Sequence, residues 1–281
     1  MNVIRLQTTL ILFLICPLIL LSQPAVWSPA GAANIATAGA QAGLNSSFWS
    51  LFGNPAGMSG LEAITIGSHV EQRFSIREMS AAQIGIVAPI GDKQAAGLRI
   101  SWFGLGTFGE GRYAISYSIS PLEHLRIGTS LSFYQTVIPS QGSGRSVFID
   151  LGIQYDLSDQ LTLGMFAVNA NRAVVQNLGD SSPLPSLIQA GLRFKASEEV
   201  TLVADIGQEV NAPLTLRAGI HYHPADRLLI RAGVRTGPSA VSAGIGLKFE
   251  SFLLDMTAEY IPILGLSPHV GFTYQIAENE A

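Results

Sequence analysis

The sequence is short of charge. Asp, Glu, Lys and Arg make up 13% of its 281 residues, where a soluble domain carries about 25%. It has a single cysteine, Cys16, which excludes a disulfide framework. Positive charge is not in excess: 16 Lys and Arg stand against 20 Asp and Glu, a net charge of -4. No basic surface for nucleic acid is therefore expected. Past the first 21 residues, no uninterrupted apolar run approaches the roughly 18 residues of a spanning helix. Disorder is excluded too, because hydrophobic residues reach 48% and disordered chains pair low hydrophobicity with high net charge. The missing component is the charged coat. That leaves a greasy soluble domain or a protein whose outer surface faces lipid.

The first residues favour export. Arg5 precedes an apolar stretch from Leu10 to Leu21, and small residues come next, with Ala30-Gly31-Ala32 as an A-x-A pattern. This is the layout of a secretory signal over 1–30, cleaved between Ser22 and Ala33. Pro17 interrupts the run and leaves it short for a membrane anchor. Ile15 before Cys16 is too bulky for a lipoprotein site, so the cysteine is lost with the signal.

Beyond residue 61 the chain alternates between apolar and polar positions. Leu125, Ile127, Thr129, Leu131 and Phe133 share one face, with Arg126, Gly128, Ser130, Ser132 and Tyr134 on the other. The same period of two recurs from Val241 to Phe249 and from Phe252 to Tyr260, and it belongs to strands. Segments about 10 residues long cross an outer membrane at a tilt. The expected strands are 62–72, 80–90, 93–102, 112–119, 124–135, 146–156, 160–169, 186–195, 200–208, 214–223, 227–236, 239–249, 251–261 and 268–276. They number about fourteen, an even count as bacterial barrels have, with turn-like connections alternating with longer ones such as Phe103 to Gly111, Thr136 to Arg145 and Ala170 to Pro185. The predicted fold is all-β: a transmembrane antiparallel barrel over 62–276, preceded by a plug-like segment over 31–61 and followed by a tail over 277–281. Both chain ends are expected on the periplasmic side. Trp102, Tyr155, Phe194, Tyr222, Phe249, Phe252, Tyr260 and Tyr274 fall at segment ends, as interfacial girdles require.

The faces opposite the apolar stripes carry Arg99, Arg126, Asp150, Arg193, Lys195, Asp205, Arg217, Arg231, Arg235, Lys248, Asp255 and Glu259. In a barrel these point into the lumen, where unpaired charge is costly. The mixture of signs predicts a network across the lumen. Glycines on the same face (Gly128, Gly152, Gly207, Gly219, Gly233, Gly244, Gly246) suit either close approach of a plug or ligand or strong sheet curvature.

Residues 32–60 show no alternation and many small side chains. Gly31-Ala32, Ala38-Gly39-Ala40, the aromatic run Phe48-Trp49-Ser50-Leu51-Phe52 and Asn54-Pro55-Ala56-Gly57-Met58 resemble the N-terminal signature of the PorV/PorQ group. That group lies within the FadL-like superfamily of outer-membrane proteins. Asn54-Pro55-Ala56 is also similar to the NPA element in the hatch of FadL-type transporters. Gly271-Phe272-Thr273-Tyr274-Gln275-Ile276 resembles the terminal-strand signal of outer-membrane barrels, although an acidic tail comes after it. The resemblance implies a fourteen-stranded barrel whose work is binding, linked to type IX protein secretion or surface attachment. Its implied partners are outer-membrane lipid and a secretion translocon or exported cargo protein. The alternative is a passive transporter of hydrophobic small molecules, with a hydrophobic ligand. In either case Phe48, Trp49, Phe52, Asn54, Pro55, Ala56 and Gly57 form the binding or plug motif.

Catalysis finds little footing. His221 and His223 share a strand face, but two ligands without a third make weak evidence for a metal. No G-x-S-x-G elbow, phosphate-binding loop or H-E-x-x-H motif occurs. No enzyme activity, cofactor or metal is expected.

Overall fold

A computed structural model describes residues 31–105, 108–139, 142–176 and 181–276. The predicted signal with Cys16, and the tail 277–281, lie outside the described residues.

The strands are β1 (Thr65–Gln72), β2 (Ser80–Pro89), β3 (Gln94–Phe103), β4 (Gly109–Leu122), β5 (Leu125–Ile138), β6 (Gly142–Asp156), β7 (Leu161–Val168), β8 (Val174–Gln176), β9 (Ser181–Pro183), β10 (Leu187–Lys195), β11 (Val200–Glu209), β12 (Thr215–Ala225), β13 (Leu228–Arg235), β14 (Ala240–Phe249), β15 (Phe252–Ile261) and β16 (Gly265–Gln275). Except for β8 and β9, each pairs antiparallel with its two neighbours, and β1 pairs with β16, so fourteen strands close into a barrel. Closure leaves the barrel no edge, so each of the fourteen strands has a partner on both sides for its main-chain amides.

Burial along the strands is inverted relative to a soluble protein. Outward Leu98, Ile115 and Val241 are 55–57% exposed, whereas inward Arg99, Ser116 and Ser242 are at 6% or less. An apolar surface this continuous faces hydrocarbon, not water. Tyr155, Phe194, Tyr222, Phe249, Phe252 and Tyr274 ring the end where β1 begins and β16 finishes, here called the terminal end, and Trp102 and Tyr260 mark the opposite, distal end; all eight are exposed.

The connections differ from expectation in two places. Much of the predicted loops Phe103 to Gly111 and Thr136 to Arg145 is strand, because β4, β5 and β6 keep their hydrogen-bond ladder running beyond the apolar belt. The long connection 169–186 holds the hairpin β8–β9. Short β7 ends at Val168, and Gln176 of β8 takes over beside Arg145 of β6. Asn169 turns the chain there with φ 53°. Its side chain donates to Leu184 O, Pro185 O and Ser186 Oγ at 3.0–3.2 Å and accepts from Ala173 N at 2.8 Å. That clamp tips the hairpin inward, and Val175 and Leu184 pack on Phe103, Tyr134 and Phe148 across the distal mouth.

Candidate functional site

Residues 31–61 fill the lumen. A short helix (Ala32–Ala36) leans on β13 to β16, and two 3-10 helices (Phe48–Phe52 and Pro55–Gly60) lean on β1 to β3 and β3 to β6. Small residues allow the first contact, since Ala32, Ala36, Ala38 and Ala40 are wholly buried. Phe48, Trp49, Leu51, Phe52, Met58 and Leu61 make an apolar cluster with Val87 and Ala95 of the wall. Phe48 and Trp49 meet edge to face with ring centroids 5.0 Å apart.

Asn54 is the anchor of the second half. Its Oδ1 accepts from Ala56 N at 3.2 Å, capping the helix that Pro55 begins, a position suited to proline because the missing N–H has no helical partner there. Asn54 Nδ2 donates to Ala42 O at 2.8 Å and to Ile153 O at 3.2 Å. One side chain thus ties two turns of the segment to β6. Gly57 is held where a Cβ would strike Ser50 and Leu44, so the tight packing of this motif depends on it.

The inward glycines mark where the segment touches the wall. A Cβ at Gly128 would meet Pro55 and Ala56, at Gly152 Asn54, at Gly219 and Gly233 Thr37, and at Gly244 Thr257 and Ala36. Close approach, rather than curvature alone, accounts for these five. Gly207 and Gly246 instead make room for Arg217 and Asp255.

The lumen charges do face inward, yet they pair along the wall and not across it. Asp150 on β6 takes Arg99 of β3 at 2.9 Å and Arg112 of β4. Arg231 meets Asp255 at 2.5 Å and Arg235 meets Glu259 at 2.7 Å, both between β13 and β15. Arg126 pairs with Asp156 at 2.6 Å. The expected cross-lumen network fails because the inner segment occupies the axis, so these charges find partners one to three strands away, while Arg193 donates to Thr162 Oγ1 at 2.9 Å. Lys195 bonds Glu198 in a turn at the terminal end, and Lys248 is exposed.

Asp205 is the exception. Arg217 lies opposite it in the ladder, but no ion pair joins them. Asp205 Oδ2 instead accepts from Gln41 N at 2.7 Å, Ala42 N at 2.9 Å and Gln189 Nε2 at 2.6 Å. Among the described residues, Arg217 Nε and Nη1 and Asp205 Oδ1 are buried without partners. Behind this latch, a cavity of about 740 Å³ indents the barrel wall. Its lining combines outward Ile153, Met165, Ala190, Ala204 and Ile206 with inward Gly164, Gly191, Asp205 and Arg217. Gly164 abuts the Ala42 carbonyl there.

Two apolar layers therefore sit above and below a charged one. Arg112 stacks over Phe148 at 4.7 Å and Arg99 over Phe52 at 5.7 Å, so the Arg99–Asp150–Arg112 group separates the distal cluster from the inner segment. His221 Nδ1 accepts from Arg231 Nε at 3.2 Å, which takes its lone pair, and no third ligand joins His221 and His223 among the described residues. Sequence reasoning missed Gln154 and Gln189, which bind the segment, and Arg112, which pairs with Asp150. It also missed the β8–β9 cap; inward placement on strands was the signal for the first three.

No protein-family model matches the chain, and no curated protein does. Solved structures do. The CymD monoaromatic hydrocarbon channel is 14% identical with a TM-score of 0.68, over 92% of this chain and 100% of that one. The Pseudomonas putida toluene transporter TodX is 13% identical with a TM-score of 0.69, over 89% and 99%. A Pseudomonas aeruginosa FadL homologue is 12% identical with a TM-score of 0.63, over 88% and 98%. At these identities the fold is what is shared: a closed antiparallel barrel of fourteen strands. The link to PorV/PorQ and type IX secretion gains no support from them, and the transporter alternative fits better.

Proposed function

We propose that the protein is a passive outer-membrane transporter of small hydrophobic molecules, with residues 31–61 as its plug and the distal cluster as its entry. Solutes enter among Phe103, Tyr134, Phe148, Val175 and Leu184. The axial route is closed to them by the charged layer and by the plug, which cost too much to cross for a molecule that hydrogen-bonds nothing. The observation that carries the reading is the wall cavity, apolar on its membrane side and backed by the Asp205 latch. Release of Gln41 and Ala42 from Asp205 would connect lumen and cavity and let a solute leave sideways into the bilayer. The similarity to hydrocarbon channels and toluene transporters supports the same class of cargo. The terminal end faces the periplasm, since short turns lie there in outer-membrane barrels.

The test is uptake of radiolabelled toluene by intact cells whose outer membrane carries the protein, against cells without it. Uptake is expected to rise several-fold. Ala204→Phe, which fills the cavity from the membrane side, is expected to abolish the gain at equal protein level. Equal uptake with and without the protein overturns the proposal, as does robust sugar flux through it in liposome swelling.

A further inference from the structure

We propose that His69, Glu71 and His269 form a divalent transition-metal site, best suited to Zn²⁺, that staples the barrel where its first strand meets its last. The inference is independent of transport. All three side chains point inward and are buried, and one donor atom from each lies within 4.8 Å of the others. Glu71 and His269 are directly opposed in the β1–β16 ladder, and His69 lies one inward position away on β1. The rings of His69 and His269 stack with centroids 5.5 Å apart, only 6° from parallel, and Gly271 opposite His69 leaves its space to Ala32 and Trp49.

Three features distinguish this cluster from a buried polar patch. His69 Nε2 and His269 Nε2 have no hydrogen-bond partner among the described residues, an expensive state for buried polar atoms unless a ligand completes them. His269 Nδ1 lies 3.2 Å from Glu71 Oε2, close to the ~3.3 Å between two donors on a tetrahedral ion with ~2.0 Å bonds. The remaining atoms are already oriented. Gln83 Oε1 lies 3.2 Å from His69 Nδ1 and holds its proton there, which leaves Nε2 as the lone-pair donor. Arg73 donates to Glu71 Oε1 through Nε at 2.7 Å and reaches the same oxygen with Nη2 at 2.6 Å, leaving Oε2 for the ion. Two imidazoles and one carboxylate, with a fourth position open, match zinc's preferences. The site also has a structural purpose: β1–β16 is the barrel pair that no turn connects.

The full chain, purified in detergent, is stripped with EDTA, equilibrated with Zn²⁺ or Co²⁺, desalted and assayed by metal mass spectrometry. One zinc per chain and the visible bands of four-coordinate Co²⁺ are expected, with a zinc-dependent rise in Tm. His69→Gln/His269→Gln is expected to retain no metal above background, and Gln83→Leu to bind about 10–100-fold more weakly. His221→Gln/His223→Gln is expected to bind as the wild type does. Absence of retained zinc or of cobalt bands in the wild type overturns the proposal, as does full retention by the double variant. If the double variant fails to fold, Glu71→Gln replaces it, and the wild-type cobalt spectrum still decides.

Discussion

Asn54 and Gln154 donate to the same oxygen. Asn54 Nδ2 reaches Ala42 O at 2.8 Å from within the lumen segment, and Gln154 Nε2 reaches it at 3.0 Å from β6. Gln154 Nε2 also meets Leu44 O at 2.7 Å. A carbonyl has two lone pairs, and here both are used, so the tight bend at 42–44 is fixed from both sides.

Asn54→Ala therefore loses a helix cap worth about 1 kcal/mol and two amide bonds worth about 1 kcal/mol each. Thermal unfolding in detergent is expected to move to lower temperature, and proteoliposomes carrying the variant are expected to leak a small hydrophilic dye. An unshifted Tm with a tight vesicle would show that Asn54 anchors nothing.

Asp150 holds two cations at once, Arg99 and Arg112, with almost no solvent access. Asp150→Asn strands both and is expected to cost about 3–5 kcal/mol, read from urea-induced unfolding. Lys195→Ala breaks a pair that solvent screens, and its expected cost is about 0–1 kcal/mol. Similar costs for the two would contradict the placement of the charged layer.

Gly128→Val and Gly219→Val push a side chain into residues 55–56 and 37, respectively. Both are expected to expose the lumen segment to added protease or to block assembly. Ala218→Val and Ala232→Val, on the outward face of the same region, are expected to be neutral. Proteolysis of whole cells and the yield of heat-modifiable protein check the contrast.

Asp205→Ala removes the acceptor of three hydrogen bonds, two of them from the main chain of residues 41 and 42. Toluene uptake is expected to rise above wild type, because the latch between lumen and wall cavity is gone. Unchanged uptake with unchanged stability would separate the latch from transport.

Much of the barrel was legible in the sequence because lipid and lumen impose opposite chemistry on alternate residues. Leu98 and Arg99, or Val241 and Ser242, declare their faces without any knowledge of neighbours. Strand ends were less legible where β4 to β6 outrun the apolar belt, since alternation in water is not enforced. The three-residue strands of the β8–β9 cap are too short to show a period. Asn54 stood out through its motif, yet its bonds to Ala42 and Ile153 depend on how deeply the segment enters. The direction of the charged pairs was misjudged because a filled axis leaves no space for contacts across it. His69, Glu71 and His269 were missed through a separation of about 200 positions; the inward His-x-Glu on the first strand and the inward His on the last become neighbours only through the register in which β1 meets β16.

Residues 31–61 precede every strand that holds them. Thr257 bonds the carbonyl of Ala32 across 225 positions, and Asp205 clasps Gln41 across 164. The mould for this segment is thus incomplete until β16 has docked on β1, and loop closure over such distances is slow. The earliest residues of the segment gain their full set of native contacts only once the latest strands have completed the enclosure.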